Sequence, residues 1–165
     1  MNNIYLIGMP GCGKSALGKA AAKELNKGFI DMDSHIEDKA GKTINEIFCE
    51  EGEASFRMKE KDALKNISEC TDLLVSTGGG IILDQENVQR MKESGTVILI
   101  DRPLELLVKY IDIRKRPLLK KGREEIINLH QKRYDLYLES ADKILINDNG
   151  FESALLKLLN YIKVI

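Results

Sequence analysis

A phosphate-binding pattern stands near the start of the chain, where residues 8–15 read GMPGCGKS and fit G-x-x-x-x-G-K-S. It follows an apolar run at 4–7 and precedes a helix-like segment at 16–25, the setting that this pattern requires. Its glycines let backbone N–H groups converge on a phosphate, and the helix start adds partial positive charge. Lys14 can then reach the β- and γ-phosphates, and the Ser15 hydroxyl can bind Mg²⁺. The segment predicts binding of a nucleoside triphosphate with magnesium.

Two aspartates form a second candidate group. Residues 29–33 predict a strand, and its alternation would place Asp31 and Asp33 on one face, about 6–7 Å apart. Beside a phosphate loop, one carboxylate can hold hydrated Mg²⁺ while the other contacts an acceptor hydroxyl. The alternative is a polar strand end followed by a helix cap, for which Asp33 is chemically suitable.

Three consecutive glycines, Gly78, Gly79 and Gly80, follow the third apolar segment. A backbone without side chains can approach a ligand closely and offer its N–H groups as donors. A flexible turn is the alternative. Ligands of parallel sheets collect at the carboxyl ends of the strands, so the position of this turn favours the ligand-binding interpretation.

Arginines are the candidates for binding acidic groups. Arg57 and Arg133 lie in helical segments, and a guanidinium fork can bind a carboxylate through two parallel hydrogen bonds. Glu60, one turn after Arg57, can orient it through an i, i+3 pair. Arg116 lies in the basic segment 112–123, which suits a lid that carries a cation onto the γ-phosphate. The alternatives are a solvated surface for the first two arginines and an ordinary charged loop for the third.

Apolar runs that alternate with helical periods must position these groups. The pattern predicts an α/β fold in three layers, with a five-stranded parallel sheet between helices. We expect strands at 4–7, 29–33, 72–76, 96–100 and 143–146, helices at 16–25, 87–93, 104–111, 124–138 and 151–162, and a helical region at 34–67 interrupted at 41–42 and 52. Asn149 and Glu152 fit a capping box for the last helix. We interpret Asp101 as the end of the fourth strand rather than as a metal ligand.

Composition excludes several classes of function. The 165 residues predict a single domain, and 25 basic against 26 acidic residues give a net charge of −1. This balance offers no electrostatic footprint for nucleic acid or for an anionic membrane. No segment approaches the roughly 20 apolar residues of a membrane span, and the first apolar run is too short for a signal peptide. The three cysteines lack metal-ligand spacing, so we expect a cytoplasmic protein.

The ordered set of motifs resembles the shikimate kinase family from residue 4 to about residue 146. The resemblance rests on the phosphate loop together with Phe29-x-Asp31-x-Asp33, Gly52-Glu53-x-x-Phe56-Arg57, Gly78-Gly79-Gly80, Arg116-Pro117-Leu118-Leu119 and Arg133-x-x-x-Tyr137. It implies transfer of the γ-phosphoryl group of ATP to the 3-hydroxyl of shikimate, in chorismate and aromatic amino-acid biosynthesis. It also implies a phosphate-loop kinase fold of the nucleoside-monophosphate-kinase type, with a substrate-binding region at 34–67 and a lid at 112–123. We expect a monomer.

The resemblance also implies a role for each matching residue. The phosphates would be cradled by Gly11, Cys12, Gly13, Lys14, Ser15 and Ala16. Ser15 would bind Mg²⁺ directly, and Asp31 would hold it through water. Asp33 would bind the ring hydroxyls and accept the proton of the attacking one.

On the acceptor side, the resemblance implies that Arg57 and Arg133 bind the carboxylate of shikimate. The turn of Gly78, Gly79 and Gly80 would line the substrate, with the Gly79 backbone on a ring hydroxyl. Arg116, on the lid, would stabilise the transferring phosphoryl group.

The chain departs from the family pattern on the adenine side. Ala16 replaces a frequent Thr, Lys109 stands where many members carry an Arg that stacks on adenine, and 147–150 lacks the basic or glutamine residue that often borders the base. A gluconate kinase would lack the paired aspartates and arginines, and a nucleoside-monophosphate kinase would have a larger base-binding segment. A regulatory GTPase would carry an N-K-x-D motif, which this sequence does not contain.

Overall fold

The computed structural model describes residues 2–110 and 123–165. The expected lid at 112–123, with Arg116, therefore lies outside the described residues except for Arg123, which begins a helix. The elements are, in chain order, β1 (Asn3–Ile7), α1 (Lys14–Leu25), β2 (Gly28–Asp31), α2 (Met32–Ala40), α3 (Ile44–Glu50), α4 (Gly52–Ser68), β3 (Leu73–Ser76), a 3₁₀ turn (Ile81–Leu83), α5 (Gln85–Ser94), β4 (Gly95–Asp101), α6 (Leu104–Tyr110), α7 (Arg123–Ser140), β5 (Lys143–Ile146) and α8 (Phe151–Lys163).

The five strands form one parallel sheet in the order β2-β3-β1-β4-β5. Every residue of β1, the central strand, is buried, as is the stretch 97–100 of β4. Parallel strands covered by helices require such continuous apolar runs, because neither face meets water. The predicted α/β fold with a five-stranded parallel sheet is confirmed.

Strand register brings the functional segments to one edge of the sheet. Leu6 of β1 pairs with Ser76 of β3 and with Ile98 of β4, and Ser76 also pairs with Asp31 of β2. The phosphate loop after β1, the glycine turn after β3 and the aspartates after β2 therefore lie next to one another. Within 2–110 and 123–165, no helix is long and apolar enough to cross a bilayer.

The second strand is shorter than predicted. It ends at Asp31, and Met32 already opens α2, so the expectation of a strand through Asp33 is wrong. The Asp31 carboxylate accepts hydrogen bonds from the amides of Asp33 and Ser34, at 3.1 and 3.3 Å. A carboxylate at this position caps the exposed amides of a first helical turn, which stabilises the helix start immediately after the strand. Asp33 thus lies in the first turn of α2 instead of on a strand face.

The helical region at 34–67 is confirmed in outline, but the capping box lies elsewhere than predicted. The structure divides this region into α2, α3 and α4. A reciprocal box forms at α3, where Thr43 Oγ1 accepts from the Glu46 amide at 3.2 Å and Glu46 Oε2 accepts from the Thr43 amide at 2.7 Å. At α8 the N-cap is Gly150, with no side-chain cap, so the predicted box of Asn149 and Glu152 is wrong.

We expect Gly8→Ala to destabilise the fold more than Gly150→Ala. Both glycines have positive φ, +142° and +87°. A Cβ on Gly8 would lie 2.6 Å from the carbonyl oxygen of Ile100 and 2.9 Å from Cys12 Sγ, whereas nothing lies within 4 Å of a Cβ on Gly150. The clash adds about 1–3 kcal/mol to the backbone strain that both variants carry. Urea unfolding of the two variants measures the difference, and equal losses would contradict the close approach at Gly8.

Candidate active site

The phosphate loop lies between β1 and the start of α1. Gly13 has a φ of +107° and occupies the N-cap position, so α1 begins at Lys14, two residues earlier than predicted. Lys14 is buried, and its Nζ donates to the carbonyl oxygens of Gly8 and Met9 at 2.9 and 3.0 Å. These bonds hold the ammonium group against the loop, where the free amides and the positive end of α1 also favour an anion.

Asn147, directly after the edge strand β5, also supports the phosphate loop. Its Nδ2 donates to the carbonyl oxygen of Cys12 at 2.9 Å, and the side chain is buried. A Cβ on Gly13 would come within 3.1 Å of the same nitrogen. The sequence pattern predicted no role for Asn147. Its position at the carboxyl end of a strand is the signal that could have found it.

Two serine hydroxyls lie next to each other where magnesium is expected. Ser15 Oγ lies 3.1 Å from Ser76 Oγ, and Ser76 pairs in the sheet with Asp31. Oxygen ligands of this kind suit Mg²⁺, which keeps several waters and takes only one or two protein ligands together with phosphate oxygens. The described residues contain no cluster of three or more His, Cys, Asp or Glu side chains that would build a dedicated metal cage. The donor set therefore fits magnesium held partly by a nucleotide.

The glycine turn after β3 meets a different neighbour at each of its residues. A Cβ on Gly78 would lie 2.6 Å from Glu60 Oε1 and 3.0 Å from Asp33 Oδ1, and a Cβ on Gly79 would lie 3.0 Å from the Pro10 ring. A Cβ on Gly80 would overlap the guanidinium of Arg57. Two carboxylates, an arginine and the phosphate loop thus all pack against this turn.

Arg57 is held by its own helix, α4. Its Nη1 donates to Glu60 Oε2 at 2.9 Å and its Nη2 to Glu53 Oε1 at 3.0 Å, and the guanidinium carbon lies 5.2 Å from the centre of the Phe56 ring. The predicted orientation of Arg57 by Glu60 is confirmed. Glu53, one turn earlier, is a second partner that the i, i+4 spacing could have revealed.

Glu60 is a buried carboxyl at the centre of this cluster. It is 1% exposed, and its Oε1 accepts no hydrogen bond from any group in the described part of the chain. Burial raises the pKa of Glu60 above its ordinary value, and the neighbouring charge of Asp33 acts in the same direction, while Arg57 and Arg133 oppose it. Uptake of a proton is therefore easier at Glu60 than at a solvated glutamate.

Arg133 reaches the same turn from α7. The residue is 6% exposed, and its Nη1 donates to the carbonyl oxygen of Gly79 at 3.2 Å. Tyr137, one helical turn later, donates its phenol to the same oxygen. Arg57 and Arg133, 76 positions apart in the numbering, thus both contact the three-residue turn.

Asp101 ends β4 as predicted, and its Oδ2 accepts from the phenol of Tyr134 at 3.0 Å. Ala16 is exposed in the first turn of α1. Lys109 Nζ lies 5.1 Å from the centre of the Tyr110 ring, a cation–π distance.

The family model of shikimate kinase matches residues 10–163. The chain belongs to the shikimate kinase family. Shikimate kinase of Clostridium botulinum (strain Alaska E43 / Type E3) is 47% identical over 154 residues, covering 93% of each chain. That of Clostridium beijerinckii is 49% identical over 147 residues, covering 89% of this chain and 86% of the relative.

The fold agrees with a solved member of the family. Shikimate kinase from Acinetobacter baumannii, in complex with shikimate, superposes with a TM-score of 0.89 at 34% identity, covering 99% of this chain and 91% of that one. The chain is thus an ATP-dependent kinase of the shikimate pathway in aromatic biosynthesis, and it uses Mg²⁺.

The raised pKa of Glu60 generates a prediction about stability and pH. A carboxyl with a raised folded pKa contributes stability that is fully present below its unfolded pKa of 4.5 and lost as pH rises through the folded value. The free energy of unfolding of the wild type, relative to Glu60→Gln, should therefore fall as pH rises above about 4.5. Urea unfolding from pH 4 to 8 measures it.

Glu53→Gln is the matched control, since Glu53 contacts the same arginine but is half exposed. The difference in free energy of unfolding between Glu53→Gln and the wild type should vary less with pH, because solvent screens an exposed ion pair. A Glu60→Gln difference that is constant across the range, or that reverses sign, would contradict the raised pKa.

Proposed function

We propose that this kinase transfers the γ-phosphoryl group of ATP to the 3-hydroxyl of shikimate, with Arg57 and Arg133 on the acceptor carboxylate and Asp33 on the acceptor hydroxyl. The observation that carries the proposal is the convergence of these three side chains, from α4, α7 and α2, on the glycine turn beside the phosphate loop. Two guanidinium groups next to a phosphate-binding loop suit an acceptor that is itself a carboxylate.

Arg57 retains donors for a ligand after its contacts with Glu53 and Glu60. A guanidinium carries five N–H donors, and those two contacts occupy one N–H each. Because both carboxylates fix the plane of the group, little side-chain entropy remains to be lost on binding. The shikimate bound in the enzyme from Acinetobacter baumannii supports a carboxylate ligand for this family.

Asp33 would orient the attacking hydroxyl and accept its proton. Its place in the first turn of α2 brings the carboxylate close to Gly78, next to Glu60. A base there removes the proton as the new oxygen–phosphorus bond forms. Asp31 is separated from this task, because its Oδ1 caps α2 and the strand register places it beside Ser76.

Residues 11–16, which include Lys14, would hold the triphosphate. Ser15 would bind magnesium directly, and Asp31 would hold it through water. Magnesium bound there would neutralise charge on the β- and γ-phosphates. Lys14 would add a fixed positive charge on the same oxygens. Arg116 is proposed to stabilise the transferring phosphoryl group from the lid at 112–123.

We also propose that the chain acts as a single phosphate-loop kinase domain, with 34–67 as its substrate-binding region, and as a cytoplasmic monomer. The near-zero net charge supports the absence of nucleic-acid and membrane partners, and the three free cysteines support a reducing compartment.

Asp33→Asn should lower kcat with shikimate about 10²- to 10⁴-fold, because it keeps the side-chain shape but removes the base. The rate is measured as ADP release in the presence of shikimate, gluconate, nucleoside monophosphates or no acceptor. In the wild type, only shikimate should give a sustained rate of ADP release. MgADP affinity should barely change. Asp38→Asn, an exposed site on the same helix, is the control. A normal rate together with a weakened magnesium requirement would make Asp33 a metal residue instead.

Replacing Arg57 or Arg133 with alanine should weaken shikimate binding roughly 10- to 150-fold, since a charge-assisted contact contributes about 1.5–3 kcal/mol. Arg57→Lys and Arg133→Lys should recover only part of the affinity lost in the alanine variants, because an ammonium is a point donor. Titration with shikimate and with an ATP analogue separates the two sites, and Arg90→Ala on α5 is the control. An equal loss of nucleotide affinity would show that these arginines serve the nucleotide or the fold.

A further inference from the structure

We propose that Tyr137 is a positioning residue for the acceptor site: together with Arg133 it fixes the Gly79 carbonyl group and thereby the direction of the Gly80 amide in the turn that lines the acceptor. This inference rests on the proposed function, in which the turn lines the substrate.

Two donors from one face of α7 meet a single acceptor. Residues four apart on a helix lie on the same face, so Arg133 and Tyr137 can both reach the Gly79 oxygen, and both donate to it. Tyr137 is 1% exposed. A buried hydroxyl without a partner is costly, so the phenol ties the position of the turn to that of α7.

A turn of three glycines needs such a restraint from outside. Glycine has the widest choice of backbone angles, and consecutive glycines leave the peptide units between them free to rotate. The other carbonyls of the turn are held locally, since Gly78 accepts from the Ile81 amide at 3.3 Å and Gly80 from the Leu83 amide at 3.1 Å. The restraint on the Gly79 carbonyl comes from α7 alone among the described residues.

Fixing this carbonyl also fixes an N–H group. The chain has no cis peptide bond among its described residues, and in a trans peptide the C=O and the following N–H point in opposite directions. The Gly80 amide therefore points away from α7. Among the described residues, no backbone carbonyl accepts a hydrogen bond from the Gly80 amide. This amide is thus the donor that the restraint would direct to an oxygen of the acceptor.

The phenol remains a donor at all working pH values. Burial raises the pKa of Tyr137 far above its ordinary value, and Cys12 of the phosphate loop and Glu60 of α4 act in the same direction, while Arg133 opposes them. The hydroxyl therefore stays protonated. Gly79 also packs against Pro10 of the phosphate loop, since a Cβ on Gly79 would lie 3.0 Å from the Pro10 ring. The restraint therefore acts where the proposed acceptor and nucleotide sites adjoin.

Tyr137→Phe tests the inference, because it removes one hydroxyl and keeps the ring. The Kd and KM for shikimate should rise about 3- to 10-fold, as expected for a lost neutral hydrogen bond, with kcat and MgADP affinity changed less than about twofold. Tyr161→Phe is the matched control: its phenol also donates to a backbone carbonyl, that of Ile144 at 3.2 Å, but on the exposed side of α8. The control should leave the Kd for shikimate unchanged.

Two results would overturn the role of Tyr137. One is a normal Kd for shikimate in Tyr137→Phe, and the other is an equal loss of shikimate and MgADP affinity, which a merely structural role would give. Arg57→Lys, titrated in the same experiment, separates this from the proposed function. If Arg57→Lys binds shikimate normally, the carboxylate site is wrong; if it binds weakly while Tyr137→Phe binds normally, the inference about Tyr137 alone fails.

Discussion

Side chains from several separate segments meet the turn at 78–80, and only glycine leaves them room. Asp33 and Glu60 occupy the space beside Gly78, and the guanidinium of Arg57 lies against Gly80. The Pro10 ring of the phosphate loop packs on Gly79, the middle residue. Because a methyl group at any of the three positions would displace one of these neighbours, the turn sets the distances between the phosphate loop and helices α2 and α4.

Charged groups of both signs surround this turn. Arg57 and Arg133 are the cations, and Glu53, Glu60 and Asp33 are the nearby acids. Burial raises the pKa of Glu60, and its hydrogen bond with Arg57 fixes the geometry of that guanidinium. Of the two carboxylates that orient Arg57, Glu60 is buried and Glu53 is half exposed.

The phosphate loop is supported from strands on both sides of β1. Asn147, after β5, holds the carbonyl of Cys12, and Ser76, at the end of β3, lies beside the hydroxyl of Ser15. Lys14 closes the loop through the carbonyls of Gly8 and Met9. These bonds fix the loop amides before a nucleotide arrives, which lowers the entropy that binding must overcome.

The sequence by itself determined the features that depend on near neighbours in the chain. Apolar runs predicted all five strands, glycines marked the breaks around α3, and the loop pattern predicted a phosphate-binding turn before α1. The ion pair of Arg57 with Glu60 also followed from spacing alone, because one helical turn separates them. Two local predictions were wrong where capping chemistry competed: Asp31 caps α2 and ends β2 early, and Gly150 replaces Asn149 at α8.

Only the tertiary structure decided which distant residues share the site. The contacts of Asn147 with Cys12, Ser15 with Ser76, and Tyr137 with Gly79 join residues 135, 61 and 58 positions apart. Burial of Glu60 is likewise set by the packing of α4 against the turn rather than by its neighbours in sequence. Such contacts depend on strand order and register, which bring the carboxyl ends of β1, β2, β3 and β5 to one edge. Local periodicity predicts that strands exist, but their side-by-side order comes from how the whole apolar surface is buried.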